Sequence, residues 1–188
     1  MGFALAQAAV EAGAKTVLIA GPVNLPTPTH AERIDVVSAD EMLTATMAAT
    51  DGADIFIATA AVADYRPVSC ADQKIKKNTT DRSKITIELE QNTDIIATVA
   101  AQNNKPFTVG FAAETQDLLA YAKDKLKRKN LDMIIANDVS NSRIGFNSDN
   151  NAVCVVWGNG QKDYAEMSKQ QLARQLINDI ATQVINET

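Results

Sequence analysis

Hydrophobic and polar positions along this chain switch repeatedly between a helical period and short apolar runs. Met1 to Ala12 places Phe3, Ala6 and Val10 on one side, flanked by Leu5 and Ala9, which predicts a helix stopped by Gly13. Lys15 to Ala20 is a buried-type strand, and Gly21 to Pro28 is a loop, since Pro22, Pro26 and Pro28 suit neither a helix nor a central strand. Ile34 to Val37 predicts a short strand, after which Ser38 or Asp40 caps a helix to about Ala49. Asp54 to Ala60 is the next strand, followed by a long polar connection. Lys84 to Glu90 alternates polar and apolar residues, as a half-exposed or edge strand does. Asn92, Thr93 and Asp94 are cap-type residues for a helix from about Ile95 to Gln102. Phe107 to Phe111 reads as a strand, Gln116 to Lys129 as a helix and Leu131 to Ile135 as a strand. Asn151 to Trp157 and Lys162 to Glu166 predict a hairpin around Gly158-Asn159-Gly160, with glycine supplying positive φ. Ser168 and Gln171 form a capping box, and the closing helix repeats Leu172, Leu176, Ile180 and Val184 at fourfold spacing.

Alternating strands and helices predict one α/β domain over residues 1–188. Its sheet is expected to be doubly wound, Rossmann-like and mainly parallel, with helices on both faces and a C-terminal β-hairpin. In this architecture a first strand and Gly-rich turn usually bind phosphate at a helix N-terminus. The sequence begins instead with a helix, which reads as a truncation. Three strands run into small residues and then a polar group, namely Asp64, Glu114 and Asn137. Ligands of open parallel sheets bind beyond the carboxyl ends of the strands, so these endings predict one site built from several loops.

The length of 188 residues is enough for a real core. A net charge of −5 argues against nucleic acid as the main partner, although a local basic cluster can hold a small phosphorylated ligand. Cys70 and Cys154 make no disulfide framework, and no Cys/His spacing marks a zinc site. His30 stands alone in the Pro-rich region, which demotes mechanisms needing a histidine base. No apolar run approaches the roughly 20 residues of a membrane helix, and no signal-peptide pattern is present. A reducing, cytoplasmic setting is expected.

Lys74, Lys76 and Lys77 read either as a solvated turn or as a mobile flap that closes on an anion. Lys125 and Lys129 share a helix face, with solvation as the plainer reading. Asp64 could accept ribose hydroxyls, hold Mg²⁺ near a triphosphate, or simply cap the next turn. Asn92-Thr93-Asp94 could be only a helix start, or could offer free N–H groups to a nucleotide. Phe111 could stack on a base or fill the sheet–helix interface.

MGFALA (Met1 to Ala6), AAVADYRP (Ala60 to Pro67), KIKK (Lys74 to Lys77), GFAAET (Gly110 to Thr115), RKNLD (Arg128 to Asp132), ANDV (Ala136 to Val139) and GFNSDNN (Gly145 to Asn151) occur in that order. Together they resemble the phosphopantothenate–cysteine ligase (phosphopantothenoylcysteine synthetase) domain, usually the C-terminal half of a bifunctional coenzyme A biosynthesis flavoprotein. The resemblance covers nearly the whole chain. It implies a two-step reaction with 4′-phosphopantothenate, CTP with Mg²⁺, and L-cysteine as substrates. The carboxylate first forms an acyl-cytidylate, which the cysteine amine then converts to an amide. Carried over by position, the resemblance makes Lys74 the flap lysine that supports catalysis. It assigns Ala58, Thr59, Ala60 and Asp64 to the CTP site, with Thr93, Asp94, Ile95 and Ile96 at a helix start. Phe111, Lys125 and Lys129 would make the other nucleotide contacts. Thr93 departs from a proline often found there, a change that a backbone contact survives.

The resemblance also implies a homodimer and FMN only in a possible upstream decarboxylase domain; GFNSDNN and the terminal hairpin are the candidate contact surfaces. The family's N-terminal strand and Ser/Gly-rich loop, with an asparagine that processes the acyl-cytidylate, match no residue here. A chain retaining the CTP pocket but ligating poorly is therefore expected. The rivals are a nucleotide-binding module without full activity and a nicotinamide-dependent oxidoreductase; no G-x-G-x-x-G turn supports the latter.

Overall fold

The computed structural model of the protein describes residues 1–76, 85–114, 118–138 and 148–187. Along the chain run α1 (Gly2–Glu11), β1 (Val17–Ala20), β2 (Glu32–Asp35), α2 (Ala39–Thr50), β3 (Ile55–Ala58), β4 (Tyr65–Pro67) and β5 (Leu89–Gln91). They are followed by α3 (Ile95–Ala100), β6 (Phe107–Glu114), α4 (Leu118–Arg128), β7 (Met133–Asp138), β8 (Asn150–Trp157), β9 (Gly160–Ser168) and α5 (Lys169–Glu187).

The largest sheet has the order β3-β6-β7-β8-β9. Its β3, β6 and β7 run parallel, and the β8–β9 hairpin adds to β7 antiparallel. Strand alternation sends Met133 and Ile135 to one face, where they pack with Leu5 and Ala8 of α1 and Leu172, Leu176 and Ile180 of α5. Ile134 and Ala136 face the other way, onto Ala100 of α3 and Ala122 of α4. Helices therefore cover both faces, as the sequence predicts. α1 begins at its expected place and ends at Gly13, whose φ of 88° terminates the helix without a Cβ penalty. Ser38, of the two candidate caps, starts α2; its side chain accepts from Glu41 N–H, completing a capping box.

Several elements differ from expectation. β6 continues to Glu114, because its small residues remain paired with β7 as far as Glu114↔Asp138. Gly110 in that strand has a packing reason: a Cβ there would lie 2.8 Å from Leu131 Cδ1 and 3.2 Å from Ile96 Cδ1. β1 and β2 form their own two-stranded parallel sheet. The strand expected over Lys84 to Glu90 is only Leu89–Gln91, and it pairs antiparallel with β4 in a third sheet. At the β8–β9 turn neither glycine takes a positive φ. Gly160 is required instead because a Cβ would come within 2.5 Å of the Trp157 ring. Ser168 Oγ accepts from Gln171 N–H (3.3 Å) and donates to Gln171 Oε1 (3.1 Å) at the start of α5.

Candidate functional site

Parallel pairing of β3, β6 and β7 puts their carboxyl ends on one edge, with Ala58 beside Gly110 and Ala113 beside Asn137. The opposite edge is braced. Lys105 Nζ donates to Asp132 Oδ1 at 2.6 Å, while Asp132 Oδ2 accepts from the Thr108 N–H at 2.7 Å. The start of α1 abuts the carboxyl edge, since a Cβ on Gly2 would lie 2.7 Å from Thr59 Oγ1. Ala58 and Thr59 are half-buried there, and Ala60 and Asp64 are exposed in the connection beyond. The backbone carbonyl of Asp64 accepts from Asn92 N–H (2.8 Å), which draws this connection to the segment entering α3.

Thr93 is exposed. Asp94 caps α3 by accepting from Ala97 N–H at 3.1 Å and forms an ion pair with Lys129 Nζ at 2.8 Å. Partial burial of Asp94 opposes its ionisation. The Lys129 and Ala97 hydrogen bonds and the charges of Lys129 and Arg128 outweigh that effect, leaving the carboxyl below its ordinary value. Lys125, one turn before Lys129, is half-buried. Ile95 is buried among protein atoms and Ile96 packs against the α3/α4 core, so a ligand contact by this pair falls to the backbone. Phe111 is half-buried against the α1/α5 core, so the core reading accounts for part of its ring. Lys74 is exposed, and the described contacts do not bring it to the strand ends. Lys77 and the flap as far as Lys84 lie outside the described residues, as do Thr115, Val139 and Gly145 to Asn147.

Asn137 supplies the least expected feature. It is only 8% exposed, on the face of β7 that also carries Met133 and Ile135, and its Oδ1 is buried without a hydrogen-bond partner. An unmade bond of this kind costs about 1–3 kcal/mol, so a polar group arriving at this edge would recover it. Arg66 and Asn92, which the sequence marks only as a neighbour of Asp64 and a cap residue, also meet: Arg66 Nη1 donates to Asn92 Oδ1 at 2.8 Å. Nothing in the spacing of two residues on different elements signals that contact.

Cys154 is no nucleophile. Burial, reinforced by a hydrogen bond to Asp163 and that residue's charge, pushes its thiol up to about 12. At pH 8 an aromatic disulfide reagent should therefore label exposed Cys70 rapidly and Cys154 only after denaturation. Two fast thiols in the folded protein would contradict this. Among the described residues, no group of three or more His, Cys, Asp or Glu side chains converges on a metal position. Nor is any described helix long and apolar enough to cross a membrane.

A parallel-stranded edge lined by small residues, with the unpartnered Asn137 oxygen beside it, is characteristic of open α/β proteins, whose ligands sit beyond the carboxyl ends of the strands. Residues 1–184 match the family described as the DNA/pantothenate metabolism flavoprotein C-terminal domain, and the chain belongs to that family. It is 54% identical over 185 residues to the coenzyme A biosynthesis bifunctional protein CoaBC of Vibrio cholerae, covering 98% of this chain and 46% of the relative. To CoaBC of Escherichia coli it is 48% identical over 183 residues, covering 97% of this chain and 45% of the relative. The crystal structure of the C-terminal domain of CoaBC matches with a TM-score of 0.79 and 34% identity, covering 99% of this chain and 82% of that one. The chain spans about half the length of the curated relatives it matches.

Proposed function

We propose that this chain ligates 4′-phosphopantothenate to L-cysteine in coenzyme A biosynthesis, using CTP and passing through an acyl-cytidylate. The observation that carries the reading is the buried, unpartnered Asn137 Oδ1 at the shared carboxyl edge of β3, β6 and β7. Few ligands other than one with hydrogen-bond donors would satisfy it, and a nucleotide has them on ribose and base. Half-buried Phe111 offers part of a ring to the same ligand, and Ala58, Thr59 and Ala60 let it approach the backbone.

In the first step a carboxylate oxygen of phosphopantothenate attacks the α-phosphorus of CTP; the bond to the β-phosphate oxygen breaks and pyrophosphate leaves. In the second, the cysteine amine attacks the acyl carbon, the bond to the phosphate oxygen breaks and CMP leaves. The amine proton passes to water. No side-chain nucleophile is required, in keeping with an inert Cys154. Mg²⁺ enters as Mg–CTP, a substrate complex in which phosphates and water supply most ligands. Lys74, Lys125 and Lys129 offset charge on the phosphates, and release of Lys129 from Asp94 would free it for that task. Asp64 accepts hydrogen bonds from the ribose hydroxyls of CTP.

A homodimer belongs to the same reading. The outward face of the β4–β5 ribbon presents Tyr65 at 57% and Leu89 at 54% exposure, beside Ile87 at 66%, and a two-stranded ribbon gains stability when such a face is covered by a second copy. A cytoplasmic setting, and attachment to an FMN-bearing decarboxylase domain, belong to the same proposal.

Incubating the protein with Mg²⁺, CTP labelled at the α-phosphate and 4′-phosphopantothenate tests the proposal. Labelled acyl-cytidylate should accumulate without cysteine and turn over to CMP when cysteine is added. CTP binding without acyl-cytidylate would leave a nucleotide-binding module, and NADH binding in place of CTP would favour the oxidoreductase.

A further inference from the structure

The connection that ends at Asp64 and the segment that starts α3 carry different parts of the proposed site, yet they come from distant stretches of chain. Two side chains given no role above join them. Asn92, 9% exposed and immediately before Thr93, donates from Nδ2 to the Ala63 carbonyl at 2.8 Å. Its backbone N–H donates to the Asp64 carbonyl at 2.8 Å, and its Oδ1 accepts from Arg66 Nη1 at 2.8 Å. Arg66 is held in turn: Nε donates to Glu90 Oε1 of β5 at 2.9 Å and Nη1 to Asp40 Oδ1 in the first turn of α2 at 3.1 Å.

The carboxamide is planar, with its acceptor and donor ends pointing apart. A cation at the Oδ1 end forbids the flipped orientation, which would set two N–H donors against the guanidinium. Arg66 thereby fixes which end of Asn92 faces Ala63. The ion pairs of Arg66 are half-exposed and contribute little as charge pairs, so the consequence is geometric.

We propose that Asn92 and Arg66 are positioning residues that clamp the Ala60–Asp64 connection to the Thr93–Ile96 segment, so that the nucleotide held between them presents its α-phosphate in line to the acyl carboxylate. The inference rests on the CTP-ligase reading above. Transfer between two bound substrates depends on their relative placement, and a 1 Å error can cost about a hundredfold in rate. Loss of the clamp should therefore show in turnover more than in the binding of either substrate.

The test compares steady-state kinetics of the unmodified protein with those of Asn92→Ala, Arg66→Lys and the double variant. Arg66→Lys keeps the cation but loses the planar fork that serves Glu90 and Asn92 together. Asn92→Ala should lower kcat about tenfold or more while the KM values for CTP and phosphopantothenate stay within about threefold. Arg66→Lys should fall between, and the double variant should be no worse than Asn92→Ala, because both changes open one clamp. Unchanged kcat, a loss confined to KM, or additive losses would each overturn the clamp. Amide hydrogen exchange of the same proteins provides a ligand-free check: residues 63–66 and 92–96 should exchange faster together while α5 is unaffected, and independent behaviour of the two segments rejects the coupling. If the unmodified protein shows no CTP-dependent acyl activation, the function reading itself fails and takes the positioning role with it, whatever the exchange shows.

Discussion

Replacing Lys74 by methionine should lower kcat/KM for CTP-dependent ligation about a hundredfold, the scale on which a preorganised charge acts at a transition state. Lys74 is exposed, so the substitution removes no packed contact. Thermal unfolding should move by no more than about 2 °C, as for most surface changes in a domain of this size. An ammonium group in open water attracts phosphate weakly, whereas one folded over a triphosphate in a water-poor site attracts it strongly. On the proposed reading, the activity difference between the native protein and its Lys74→Met variant reports how closely this ammonium approaches the phosphates as well as its charge. Steady-state rates with CTP, together with a calorimetric scan, decide the matter. Equal rates at unchanged stability would remove Lys74 from the mechanism, and a lower unfolding temperature would give it a structural role.

Asn137→Leu should act in opposite directions on stability and on binding. Leu branches at the same atom as Asn and has no oxygen to leave unpaired, so the ligand-free protein should gain about 1 kcal/mol, or roughly 2–4 °C in unfolding temperature. CTP affinity should fall at least about tenfold, because the carboxamide proposed to meet the ligand is gone. Calorimetric scans and CTP titrations of both proteins provide the measurement. Lower stability with unchanged affinity would show that the Asn137 oxygen is satisfied within the protein and that the ligand lies elsewhere. The expected trade follows the general pattern in which a binding site is kept at the expense of stability.

Much of the fold is legible in the sequence where one local rule governs. α1 and α5 follow from apolar repeats and α2 from its cap, because a helix satisfies its own backbone and needs only one covered side. Alternation predicts a strand from Lys84, whereas β5 begins only at Leu89 and runs to Gln91. Alternation reports exposure, but a strand's limits come from pairing with Tyr65–Pro67, which no local pattern encodes. The sequence shortens β6 for a related reason: Gly110, Ala112 and Ala113 have weak strand preference, and the neighbouring β7 overrides it.

For the site, Asp64 and Asn137 can be read as strand-end polar groups, and Asp94 as a cap. Their partners cannot. The Lys129–Asp94 ion pair, the Arg66–Asn92 contact and the orphaned Asn137 oxygen all depend on how separate elements come to rest. The roles assigned to Lys74, Phe111 and Lys125 rest on motif likeness, since geometry alone would allow a solvated turn, a core ring and a solvated helix face.

The direction of β8 has a practical consequence. Asn137 pairs with Val153, but Met133 pairs with Trp157, so the Gly158-Asn159 tip lies at the far end of the sheet from the carboxyl edge. A fluorescent label or an affinity handle spliced between those two residues would report on the protein, or anchor it to a sensor chip, without standing at the carboxyl edge of the sheet.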